Sequence, residues 1–266
     1  MCLIALNWNP DSHYPLILIA NRDEFYQRPA REAHFWEQNP DWGQMSGIFG
    51  GLDLQAGGSW LAVNRNGKLA AITNYREPNS SGERSRGELV SHFLQGDRSA
   101  QDYLLEVQNH QDLYAGFNLL LADNTGLWYF SNRERLIRKL KPGLYGLSNG
   151  LLDTPWPKVQ RLKALLEKNR EAIPTHPPAL IDILHDQQRP GDDQLPDTGI
   201  GLERERLLST CFIQSPIYGT RNSTALILNR EGTLHWHEQH YDVHGAPQSV
   251  TDRSLQLPTD FLMRST

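Results

Sequence analysis

The chain has 266 residues, 38% of them hydrophobic and 21% charged, with a formal net charge of −5 and a pI near 6.1. That apolar content supports a buried core and excludes a disordered chain. The acidic balance supplies no cationic field for nucleic acid or an anionic membrane, so small molecules are the expected partners. No apolar run reaches the roughly 20 residues that span a bilayer, and the opening Met1-Cys2-Leu3-Ile4 lacks the basic region of a secretory signal. No membrane insertion and a cytoplasmic location are therefore expected.

In chain order, residues 3–8 and 16–20 are short apolar runs joined by turn chemistry at Asn9-Pro10-Asp11-Ser12, which predicts a hairpin. Four polar residues, Asn21-Arg22-Asp23-Glu24, follow its second strand directly. Three further hairpin tips share one pattern: Asn64-Arg65-Asn66-Gly67, Asp123-Asn124-Thr125-Gly126 and Asn229-Arg230-Glu231-Gly232, each with a glycine able to take positive φ. Between them, Leu89, Val90, Phe93 and Leu94 share a helical face, as do Val159, Leu162, Leu165 and Leu166 behind the capping run Asp153-Thr154-Pro155-Trp156-Pro157. Residues 174–201, rich in Pro, Asp, Gln and Gly, are expected to form an exposed helix and loop inside a single domain spanning 1–266. Strands, then helices, then strands again predict an α+β layered fold, mostly antiparallel, rather than alternating βαβ units.

Cys2 is the first candidate for chemistry. With Met1 removed, its thiol would sit beside a free α-amine that titrates near 7.7–8.0 and can serve as base. If the hairpin pairs, the quartet lies beside Cys2. There an arginine would favour thiolate and a carboxylate would orient the amine. Asn74 and Asn149 each end a short strand, where an amide can donate to an oxyanion. Tyr75 and Arg76 follow the first of them, and Tyr218-Gly219-Thr220-Arg221 leads into the last apolar strand. The plain alternatives are a small buried side chain for Cys2, a solvated ion pair for the quartet and turn formers for the asparagines. His235, His237, His240 and His244 lack the spacing of a metal site, and no metal is expected. Cys211, in an apolar stretch, reads as a buried thiol; two cysteines are too few for a disulfide framework.

Together, Met1-Cys2-Leu3-Ile4, Asn21-Arg22-Asp23-Glu24, residues 57–64, Thr73-Asn74-Tyr75-Arg76, Ser85-Arg86-Gly87, Leu147-Ser148-Asn149-Gly150 and Tyr218-Gly219-Thr220-Arg221 resemble the NRDE family, that of the transport and Golgi organization proteins. More distantly the layout is similar to the choloylglycine hydrolase and penicillin V acylase group, amidases of the four-layer αββα N-terminal-nucleophile fold, which implies two packed, mostly antiparallel sheets with helices on the outer faces. The resemblance implies Cys2 as nucleophile, Asn74 and Asn149 as the site asparagines, and Arg221 as the late arginine. That group spaces its second-strand pair Arg-x-x-Asp, whereas this quartet is contiguous. Either Arg22 with Asp23 or Asn21 with Glu24 therefore fills those places.

The expected activity is attack of Cys2 on an amide or thioester of a small acyl compound. Asn21, Glu24, Tyr75 and Arg76 are expected to contact substrate, and no cofactor is required. A different class is also open: a carrier or trafficking protein that uses the same pocket for haem or an acyl-coenzyme A, the family's eukaryotic member being linked to haem and lipid handling.

Overall fold

The computed structural model describes residues 2–36, 47–78, 81–169 and 177–258. Strands β1 (Cys2–Trp8) and β2 (Leu16–Phe25) form the predicted hairpin, in register from Cys2 opposite Arg22 to Trp8 opposite Leu16. They are joined in one six-stranded antiparallel sheet by β10 (Gly143–Leu147), β11 (Tyr218–Leu228), β12 (Thr233–Tyr241) and β13 (Pro247–Gln256), in the order β10-β1-β2-β11-β12-β13. A seven-stranded antiparallel sheet follows chain order: β3 (Ala30–Phe35), β4 (Ile48–Asp53), β5 (Leu61–Asn64), β6 (Lys68–Asn74), β7 (Phe117–Asp123), β8 (Gly126–Ser131) and β9 (Arg138–Lys139). The three predicted tips close β5–β6, β7–β8 and β11–β12, with φ of 80° at Gly67, 125° at Gly126 and 80° at Gly232.

Period-two alternation builds the layers. On β1, Ile4, Leu6 and Trp8 face the other sheet and join its Phe49 and Tyr129, with Trp236 of their own sheet, in one apolar cluster. Leu3 and Ala5 face outward onto α3 (Pro157–Asn169) and α4 (Pro178–Leu184). The opposite sheet turns Ile72, Leu119 and Phe130 onto α1 (Gly87–Gln95) and α2 (Ala100–Asn109). The order is helix, sheet, sheet, helix: the expected αββα arrangement. Each fully buried large side chain contributes roughly 1.5–3 kcal/mol by leaving water.

One expectation changes. Leu180 and Leu184 of α4 are 0% exposed and pack on the six-stranded sheet, so the helix is core, and the exposed run is the loop that follows it, from His185. The cluster Leu180, Ile181, Ile183 and Leu184 supplies the one buried face that α4 needs. Residues 174–176 lie outside the described residues.

Candidate functional site

Cys2 opens β1, and because even-numbered positions of β1 and β2 face between the sheets, Cys2 and its cross-strand partner Arg22 share that face. Both line a cleft of about 410 Å³ at the strand ends. Burial raises the Cys2 thiol pKa; Asp23 and Glu24 push it the same way and Arg22 opposes them. Arg22 is 5% exposed and stacks on Trp60, 4.1 Å from the ring centroid. Among the described residues its guanidinium has no hydrogen-bond acceptor and no ion-pair carboxylate, so a buried cation faces the cleft without a counterion. A larger groove of about 650 Å³ lies between α1 and α2, but Cys2 is not among the residues that form it, so the smaller cleft is the candidate site.

Glu24 lines the cleft and bonds the Phe25 amide, with Arg28 at 3.8 Å. Arg28 is fixed chiefly by Asp53, at 2.8 Å. Asp23, 1% exposed, borders the cleft and accepts from the Thr220 hydroxyl at 2.8 Å. Burial raises its carboxyl pKa, with Lys158, the Thr220 bond and Arg76 pulling it back. Asn74, the last residue of β6, lines the cleft with a side-chain amide that makes no hydrogen bond among the described residues. That amide is available to a developing oxyanion.

Five expected residues are placed elsewhere. Asn21 points the other way from Arg22: its amide donates to Leu184 O at 2.9 Å and Cys211 O at 2.8 Å, pinning the helix layer. Arg76 is buried in an ion pair with Glu205, 2.7 Å, and stacks on Trp156. Glu205 comes from α5 (Leu202–Leu207), so Arg76 clamps this helix rather than a substrate. Tyr75 is not among the cleft residues; its amide bonds Gly116 O. Asn149 is 0% exposed and donates to Asn74 O at 2.8 Å, bridging the sheets beside the site. Arg221 donates to the carbonyls of Phe25 and Arg28 at 3.0 and 3.1 Å and braces the β2–β3 turn. A register shift between Thr220 and Asn222 lies at this position.

The residues missed were Trp60, Arg28 and Arg86, all on the cleft wall. Trp60 and Arg86 lie within 57–64 and Ser85-Arg86-Gly87, two motifs that carried the resemblance but received no role. Nothing in the sequence marked Arg28.

Fold and cleft define the class: an αββα protein with its second residue, a cysteine, at an arginine-lined opening between two sheets. The family model described as Transport and Golgi organisation 2 matches residues 1–243. The Transport and Golgi organization protein 2 homolog of Bos taurus is 39% identical over 264 residues, covering 90% of this chain and 92% of the relative. The chain belongs to the transport and Golgi organisation 2 family. Among solved structures, a C2A mutant of the conjugated bile acid hydrolase from Clostridium perfringens aligns over 95% of this chain and 92% of its own, at a TM-score of 0.41 and 12% identity. A Caenorhabditis elegans ortholog of N-acylethanolamine-hydrolyzing acid amidase aligns over 85% and 92%, at 0.42 and 11%. At such values the likeness says nothing of the reaction of this chain.

Proposed function

We propose that the chain is a cysteine N-terminal-nucleophile hydrolase or acyltransferase acting on an amide or thioester of a small acyl compound. The observation that carries this reading is the meeting in one cleft of Cys2, Arg22 and the Asn74 amide, the last two without a hydrogen-bond or ion-pair partner among the described residues. Once Met1 is removed, the α-amine of Cys2 takes the thiol proton and the sulfur adds to the carbonyl. Asn74 stabilises the oxyanion, while Arg22 draws thiolate character and anionic substrate groups to the site. The leaving amine or thiol departs with the proton, and water releases the acid. Intact mass establishes whether Met1 is gone. Hydrolysis of acyl p-nitroanilides and acyl thioesters by the processed chain, absent in Cys2→Ala, is the expected result. Equal rates in both, or none in either, would end the proposal.

A carrier reading draws support from a different observation: burial raises the Cys2 thiol pKa, and Asn149 spends its amide on Asn74. The same cleft would then hold haem or an acyl-coenzyme A without turnover. Haemin or acyl-coenzyme A binding by wild type, unchanged in Cys2→Ala and without hydrolysis, is the outcome that favours it.

A further inference from the structure

The N-terminus of α1, a nine-residue helix, opens on the cleft through Ser85, Arg86 and Gly87. Arg86 holds the cap position without a side-chain bond to the helix. A cation there is opposed by the helix dipole, whose N-terminal end favours anions. Its guanidinium donates to Gly116 O at 3.0 Å and meets no carboxylate at ion-pair distance among the described residues. Arg22, more than nine-tenths buried and stacked on Trp60, faces the same cleft with no carboxylate at ion-pair distance among the described residues.

Four arginines and four carboxylates line this cleft. Arg28 pairs with Asp53 and Arg84 with Glu88, leaving Arg22 and Arg86 to act on a ligand. Asp23, Glu24 and Glu83 line the cleft as well, so the two remaining arginines suit one negative charge on a ligand better than two. Among the described residues the apolar walls are Ala56, Trp60, Ile72 and Ala115, too few to cover a long hydrocarbon chain.

We propose that Arg86, at the N-terminal end of α1, and Arg22 seat the carboxylate at the far end of a short acyl group whose carbonyl meets Cys2, so that the substrate is an amide or thioester of a short dicarboxylic acid. The cleavage rests on the hydrolase reading above; the carboxylate seat does not. In that reaction the Cys2 sulfur–acyl bond forms as the C–N or C–S bond breaks, and the leaving group takes the thiol proton. Water then adds to the thioester and frees the second carboxyl group and the thiol.

Glutarate is the probe, with iodoacetamide alkylation of Cys2 followed by peptide mass mapping. Millimolar glutarate is expected to slow alkylation at least fivefold in wild type and less than twofold in Arg86→Met, with Arg86→Lys between them. Butyramide and inorganic phosphate at the same concentration are expected to protect less than twofold. Absence of glutarate protection, equal protection by butyramide, equal protection by phosphate, or full protection in a folded Arg86→Met each overturns the seat. Turnover of acetyl p-nitroanilide without glutarate protection would leave the hydrolase reading standing and remove this inference. Protection without turnover of glutaryl or acetyl p-nitroanilide would do the reverse.

Discussion

Lys158, on the first turn of α3, is 3% exposed, and its Nζ finds no acceptor among the described residues. Burial first, then repulsion from Arg76, lowers its pKa to about 8 against the attraction of Asp23. The unfolded chain therefore holds this proton more tightly than the folded one. The cost is full below pH 8 and fades as pH rises towards the unfolded value near 10.4. A shift of this size is worth about 3 kcal/mol, so Lys158→Met is expected to be more stable than the parent at pH 7, with the gap narrowing by pH 10. Urea midpoints at the two pH values check this; a gap that stays constant would refute it. At this scale Cys2 and Asn74 were legible because each sits at the end of an apolar strand. The division within Asn21-Arg22-Asp23-Glu24 was not. Neighbouring strand residues face opposite layers, and register depended on an irregular seven-residue connection, 9–15, whose geometry the residues do not specify.

Among the elements, α1 is fixed to the cleft by backbone contact. The Ser59 amide donates to Gly87 O at 3.2 Å, and Gly58, at φ +78°, has no room for a Cβ, which would stand 2.3 Å from that carbonyl. Gly58→Ala is expected to cost at least roughly 2 kcal/mol through the positive φ and the clash. It should also displace the helix start, weakening any anion protection of Cys2. Thermal unfolding with the alkylation assay checks both, and unchanged values in each would refute the account. Hairpin tips were readable at this scale because glycine at positive φ is a local requirement. Arg221 was not: the irregularity at Thr220/Asn222 interrupts the side-chain alternation, and no residue type announces it.

Across the whole molecule, the two sheets are joined by polar bonds as well as by hydrocarbon. Glu238 on β12, 0% exposed, accepts from the Ala33 amide on β3 at 3.1 Å and the Thr224 hydroxyl at 2.8 Å, with His240 Nε2 at 2.7 Å. Glu238→Leu leaves these groups unpaired inside the interface and is expected to cost on the order of 3 kcal/mol; a change below 1 kcal/mol in urea unfolding would refute it. The α+β layering was legible from the order of strand and helix patterns, whereas the αββα arrangement followed from the family resemblance. Which strands adjoin was not, because β11 enters beside β2 across almost two hundred residues and only packing selects that pairing.

Because β1 lies inside its sheet, flanked by β10 and β2, and its first residue lines the opening, any peptide fused ahead of Cys2 starts at that opening. Affinity handles placed there would compete with whatever enters. The last described strand, β13, is a sheet edge, and a handle beyond it leaves the mouth clear.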